Sequence, residues 1–177
     1  HMWELYAFWA FVPVLLQTHN QLRPGPGLAV ASWSFGIIAA GALSCVAGGY
    51  WSRQAGSAQP AAVFLALSGT ACLITPLLVQ APPALFLGGL FLWGLSVVPD
   101  SPQLSSLVAA APPHAKGTAL TIVNAIGFAL TIPSIELLNA LTQAEEASPR
   151  VYWLLLVGPA AGLVAMGRRA FRRQAER

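Results

Sequence analysis

Charge is what this sequence has least of. Asp, Glu, Lys and Arg make up 8% of its 177 residues, against roughly 25% in soluble domains. Hydrophobic residues reach 56%, and mean hydropathy is +0.64. A soluble fold of this composition would lack the polar surface to cover itself. Cysteine is almost as scarce. Cys45 and Cys72 each lie inside an apolar run, which excludes a disulfide framework and offers no metal-ligand spacing. No cofactor is expected. Enzyme signatures are missing too: there is no GxSxG, no HExxH and no Gly-rich phosphate loop with its lysine. The adjacent carboxylates Glu145 and Glu146 fall in a connection, and so do His19 and His114 on this reading, solvated rather than catalytic. A cleavable signal peptide is not evident, because no basic segment precedes the first apolar run and no A-x-A site follows it.

What the chain does have is apolar runs near the roughly 20 residues that cross a bilayer. Their breakers predict an all-α, polytopic membrane protein with six spans, over about 3–17, 28–51, 60–79, 84–111, 117–141 and 151–167. The first is short at its start, like part of a longer helix. Residues 1–167 form this bundle and 168–177 a basic tail, which holds Arg168, Arg169, Arg172, Arg173 and Arg177. A basic stretch directly after an apolar span marks the cytoplasmic side, so nucleic acid is not the expected partner and both termini are placed in the cytoplasm. Tyr50, Trp51, Tyr152 and Trp153 stand at span ends, as an interfacial aromatic belt requires.

Small residues predict how the helices meet. Gly36, Ala40, Ser44 and Gly48 recur every four residues in the second span, and Gly158 and Gly162 do so in the sixth. Such stripes let backbones approach closely, which matters where lipid removes the hydrophobic drive between helices.

Three stretches carry a resemblance. GGYWSRQAGS (48–57) joins the second and third spans; MWELYAFWAF (2–11) opens the first; VPDSPQLSSLVAAAPPHAKGTALTIVNAIGFALT (98–131) covers much of the fourth and fifth. With six spans in this order, the chain resembles the carboxy-terminal half of a major facilitator superfamily transporter, in particular a group of bacterial permeases. Members carry GGxxxDRxGR in that cytoplasmic loop. Gly48, Gly49 and Gly56 fit it, while Arg53 replaces the aspartate and Gln54 the arginine, leaving a tight turn and one cation in place of a charge relay. The resemblance implies a bacterial inner-membrane protein that moves a small solute by alternating access, between two six-helix bundles of which one is present.

Ionisable groups within spans cost a few kcal/mol on insertion scales and point to function. Glu4, in WELYAFW, is either a proton-coupling carboxylate or an interfacial residue that snorkels from a helix end. Asp100 lies about 24 Å into a core roughly 30 Å thick, counted from residue 84. Pro99 and Pro102 flank it and break the helix. It can bind solute or proton, pair with Arg53 or Lys116, or cap the resumed helix. Glu136, about 30 Å from Lys116, is a gate or an interfacial anchor. Neutral groups form the candidate solute site: Thr121, Asn124 and Phe128 step along one face of the fifth span, with Asn124 about 12 Å from Lys116 and near the bilayer middle. Trp9 and Trp93 would add aromatic walls. Asn124 serves equally well as an interhelical hydrogen-bonding group.

The expectation is half of a secondary transporter, proton-coupled, completed by a second six-helix bundle that is either a missing half or a second copy. A non-transporting subunit or assembly factor of a larger membrane complex is the alternative.

Overall fold

A computed structural model describes residues 1–110, 112, 114–143 and 148–175, with side chains through Arg168. Glu145, Glu146 and Arg177 lie outside the described residues. The chain is all-helical, with no strand among those residues. Its helices are α1 (Met2–Leu22), α2 (Val30–Ala55), α3 (Ala58–Ile74), α4 (Pro83–Val97), α5 (Asp100–Ala109), α6 (Lys116–Thr142) and α7 (Val157–Ala175). A 3-10 segment, Thr75–Leu78, extends α3, and another, Pro149–Leu156, leads into α7.

Five of these units are long and apolar enough to cross a membrane: Val30–Ala55, Ala58–Leu78, Pro83–Ala109, Lys116–Thr142 and Pro149–Arg168. The remaining helix, α1, has 21 residues, about 31 Å of rise, and matches them in length.

Proline sets the local irregularities. Pro76 removes the donor that would bond the Cys72 carbonyl, and the third span tightens into 3-10 geometry there. Pro82 and Pro83 open α4, where a missing N–H costs nothing. Val98 and Pro99 separate α4 from α5 while keeping helical dihedrals, so the fourth span is interrupted without turning back. Gly56, with φ +74°, ends α2 in a conformation that suits glycine.

The first helix sits innermost. Leu5, Ala7, Phe8, Phe11, Val12, Leu15 and Leu16 are all buried, against α2, α4, α6 and α7. By contrast, α2 and α6 lie at the margins, with Phe35, Leu43, Val46, Ile126, Ile132 and other large apolar side chains exposed. That pattern suits lipid or another apolar surface.

The α2–α4 crossing brings backbone close to backbone. A Cβ on Gly94 would stand 2.5 Å from the Ile37 carbonyl oxygen, and one on Gly41 would meet Val98 Cγ2. The buried stripe of α2 is therefore Ser34, Ile37, Gly41, Ser44 and Gly48. Gly36 and Ala40 are only half-buried, because the real stripe steps by three and four rather than strictly by four. In α7, Gly158 rests against Trp3 and Gly162 against Leu65.

The sequence-based boundary of the first span needs correction. Helix continues to Leu22, so His19 is not a solvated loop residue. It is buried, its ring stacks on Phe86 at 4.6 Å and 12°, and its Nδ1 lies 2.6 Å from the Val79 carbonyl oxygen. A carbonyl only accepts, so Nδ1 carries the proton. The polar run THNQ looks like a loop by composition but is held in helix by this buried contact and by Asn20, whose amide nitrogen donates to the Leu28 carbonyl and whose oxygen accepts from the Leu28 N–H.

Candidate functional site

A carboxylate occupies the centre of the bundle. Glu4, in the first turn of α1, is fully buried. Its Oε1 accepts from Trp93 Nε1 of α4 at 2.7 Å, and its Oε2 lies 3.2 Å from Ser68 Oγ of α3. Ser68 is the midpoint of the Ala58–Leu78 span, about 15 Å from either end. Glu4 is thus a mid-depth residue, not an interfacial one. Closeness to the first residue of the chain suggested an end position, but α1 begins beside the middle of α6. Trp3 there accepts a 2.5 Å hydrogen bond from Ser134, and Met2 faces Gly127.

The cluster can hold Glu4 in two protonation states. Indole nitrogen only donates, so Trp93 suits a carboxylate oxygen in either form. Ser68 is the adjustable partner, because its hydroxyl also reaches the Leu65 carbonyl at 3.1 Å. With Glu4 ionised, Ser68 donates to Oε2. With Glu4 protonated, the acid proton is donated to Ser68 Oγ while the serine hydroxyl turns to Leu65. Neither state leaves an oxygen of the pair without a partner. Trp93, proposed above as an aromatic wall for solute, is fully buried and is instead committed to Glu4; Phe8 packs on it at 4.7 Å.

Asp100, at the start of α5, is also fully buried. Among the described residues neither of its oxygens has a hydrogen-bond donor in suitable geometry, although His1 Nδ1 lies 2.7 Å from Oδ1. The pairing expected with Arg53 or Lys116 is not formed, and its side chain makes no capping hydrogen bond. Pro99 is level with Gly48, so Arg53 lies more than a turn further along α2, where it is exposed, as is Lys116. Gly49 and Gly56 have open space at the Cβ position, whereas Gly48 is pressed by Phe64. Glu136 is exposed on α6.

The solute-site residues divide. Asn124 lines a cleft of about 520 Å³ with Ser101, Ser105, Trp3 and Gly158, between α5, α6, α7 and the first residues of the chain. Thr121 and Phe128 are exposed on α6 and do not line it. Phe128 belongs to an aromatic row: its ring lies 5.4 Å from Tyr6, and Tyr6 lies 5.5 Å from Trp9. Trp9 Nε1 is buried without a hydrogen-bond partner among the described residues. Among the described residues no group of three or more His, Cys, Asp or Glu converges to hold a metal ion.

Ser68 and Tyr6 are the members that sequence reading missed. Nothing in the local pattern of α3 singles out Ser68, whose role comes from residues 64 and 89 positions apart in sequence meeting at Glu4. Tyr6 could have been found, since it follows Met2 by one helical turn on the face that meets α6.

This architecture defines the class: an all-helical bundle with helices of membrane-spanning length and a buried carboxylate at its centre. No protein-family model, curated protein or solved structure matches the chain.

Proposed function

We propose that this bundle is half of a proton-coupled secondary transporter of the major facilitator type, moving a small solute by alternating access. On this reading it sits in a bacterial inner membrane with both termini cytoplasmic, and a second six-helix bundle completes the cavity. That bundle is another copy of this chain or a half of different sequence.

The observation that carries the reading is the Glu4 cluster. A buried carboxylate within a membrane-spanning bundle is expensive unless it is used, and the Ser68 hydroxyl accommodates both the loaded and the empty proton site. A second support is the apolar margin formed by α2 and α6, available to a partner bundle. Asn124 and the cleft beside it provide polar groups away from the helix ends, where transporter solutes bind.

Proteoliposomes test this directly. Purified protein is reconstituted, an inward proton gradient is imposed, and accumulation is measured for a panel of radiolabelled amino acids, sugars, organic acids and amines. Gradient-driven accumulation of at least one solute is expected. Glu4→Gln should abolish accumulation while leaving exchange of the same solute across the membrane. Accumulation that survives Glu4→Gln would remove the coupling role, and no flux in any mode would point to a non-transporting subunit. Single-molecule photobleaching addresses the partner: self-pairing predicts two-step bleaching in bilayers, and monomers at every protein-to-lipid ratio would exclude it.

A further inference from the structure

Among the described residues, no Lys, Arg, Asp or Glu lines the cleft between α5, α6 and α7. Its volume of about 520 Å³ falls in the range, roughly 300–1,000 Å³, that holds a drug-sized molecule. His1 also lines it, but its Nδ1 lies 2.7 Å from Asp100 Oδ1, so those two groups are engaged with each other. Most of the wall is hydrocarbon, Leu104, Val108, Leu130 and Val157 included. Trp3 adds its ring but no donor, because its indole nitrogen already donates to the Leu154 carbonyl at 3.1 Å. An ion entering such a space would shed water without meeting a counter-charge, at a cost of several kcal/mol.

Three neutral polar side chains interrupt this wall. Ser101 and Ser105 stand one turn apart on the same face of α5, about 6 Å along its axis, and Asn124 lines the cleft from α6. A helical hydroxyl away from water can bond back to its own helix. Ser44, Ser52, Thr70, Ser96, Ser106 and Thr131 each do so, to a carbonyl three or four residues back, whereas Ser101, Ser105 and Asn124 make no side-chain hydrogen bond among the described residues. Two hydroxyls and an amide are thus left to a ligand, able both to donate and to accept.

We infer that the cleft takes an uncharged, largely apolar molecule bearing a hydroxyl or amide group, which Ser101, Ser105 and Asn124 hold while its body lies on the hydrocarbon wall. This rests on the transporter reading for its context, but it concerns binding and is tested by binding. Purified protein in nanodiscs is titrated with pyrenemethanol, pyrenemethylammonium, pyrenecarboxylate and methylpyrene, which share one frame, with empty nanodiscs subtracted. Saturable binding of the alcohol is expected, with both ions weaker by at least about tenfold. Ser105→Ala and Asn124→Leu should each weaken the alcohol about two- to twelvefold and leave methylpyrene unchanged, a split that a general loosening of the bundle would not produce. Ala161→Trp fills the cleft and should remove saturable binding. All three positions are exposed, so the variants keep the fold, as unchanged melting midpoints would verify.

An ion that binds as tightly as the alcohol overturns the inference. So does methylpyrene binding equal to the alcohol's, which marks a groove for hydrocarbon alone, such as a lipid chain. Alcohol binding that none of the three variants alters also overturns it. The two readings fail separately. Alcohol binding without gradient-driven flux of any solute keeps this inference and removes the transporter. Gradient-driven accumulation of an ionised solute, with no alcohol binding, does the reverse.

Discussion

Replacing Gly94 by alanine adds one methyl group where the structure has no room for it. The new Cβ would stand 2.5 Å from the Ile37 carbonyl oxygen and 3.1 Å from Ile37 Cγ2, about 1 Å inside ordinary contact, which begins near 3.4 Å. The obstructing atom belongs to backbone, so no rotamer change relieves it. Either α2 and α4 separate locally or both bend, and loss of close packing along this crossing costs about 1–3 kcal/mol. The opposing control lies on the same helix: a Cβ on Gly88 meets nothing within 4 Å, so Gly88→Ala should be neutral or slightly stabilising through helix propensity. Cys72 supplies the assay. It is fully buried, and its thiol donates to the Tyr152 carbonyl at 3.4 Å, so a maleimide reaches it only after the bundle opens. In a Cys45→Ala background, the SDS fraction giving half-maximal labelling reads stability. Gly94→Ala should label at clearly lower SDS than the parent, by about 5- to 150-fold in the opening constant if the cost is 1–3 kcal/mol. If Gly94→Ala and Gly88→Ala label alike, the close α2–α4 approach is wrong.

Two further substitutions probe the buried polar contacts. Glu4→Gln retains an acceptor for Trp93 and should lower stability little, whereas Glu4→Leu leaves the indole N–H unpaired and should cost about 1–3 kcal/mol. Thermal denaturation followed by tryptophan fluorescence ranks them, and a Leu variant as stable as Gln would mean that Trp93 is not held by Glu4. At His19, substitution by Phe keeps the stack on Phe86 but leaves the Val79 carbonyl without its donor, a loss of about 1 kcal/mol. His19→Ala also removes the ring and should cost about 2–5 kcal/mol. Equal midpoints for the two would show that the stacking contributes nothing.

Much of the architecture was legible because long apolar helices obey few rules and strict ones. Span positions follow from apolar length, and the interruption of the fourth span follows from Pro99 and Pro102, whose effect on backbone is local. What resisted reading depends on contacts between distant segments. His19 looked like a loop residue because Thr18, Asn20 and Gln21 around it are polar; only Phe86 and Val79 make its burial favourable. Regular spacing points to a stripe at Gly36, Ala40, Ser44 and Gly48, yet closeness at Gly41 is set by Gly94 and Val98 of the fourth span. Glu4 was readable as an unusual residue but not as a central one, since depth depends on where α1 meets α6. The candidate site was read in part: Asn124 does line a cleft, while Trp93 serves the carboxylate and Thr121 points elsewhere.

The central position of α1 carries a consequence for how the bundle is made. Glu4 finds its partners 64 and 89 residues later in the chain, and the His19 acceptor follows by 60. A ribosome therefore completes α1 well before any group exists that can satisfy those side chains. Of the helices long enough to cross, it is the one that falls short of the apolarity of the other five. While α3 and α4 are still being synthesised, Glu4 and His19 lack the partners that satisfy them in the finished bundle. Its final seat becomes stable only when Ser68 and Trp93 arrive, so the innermost helix is settled by helices that follow it.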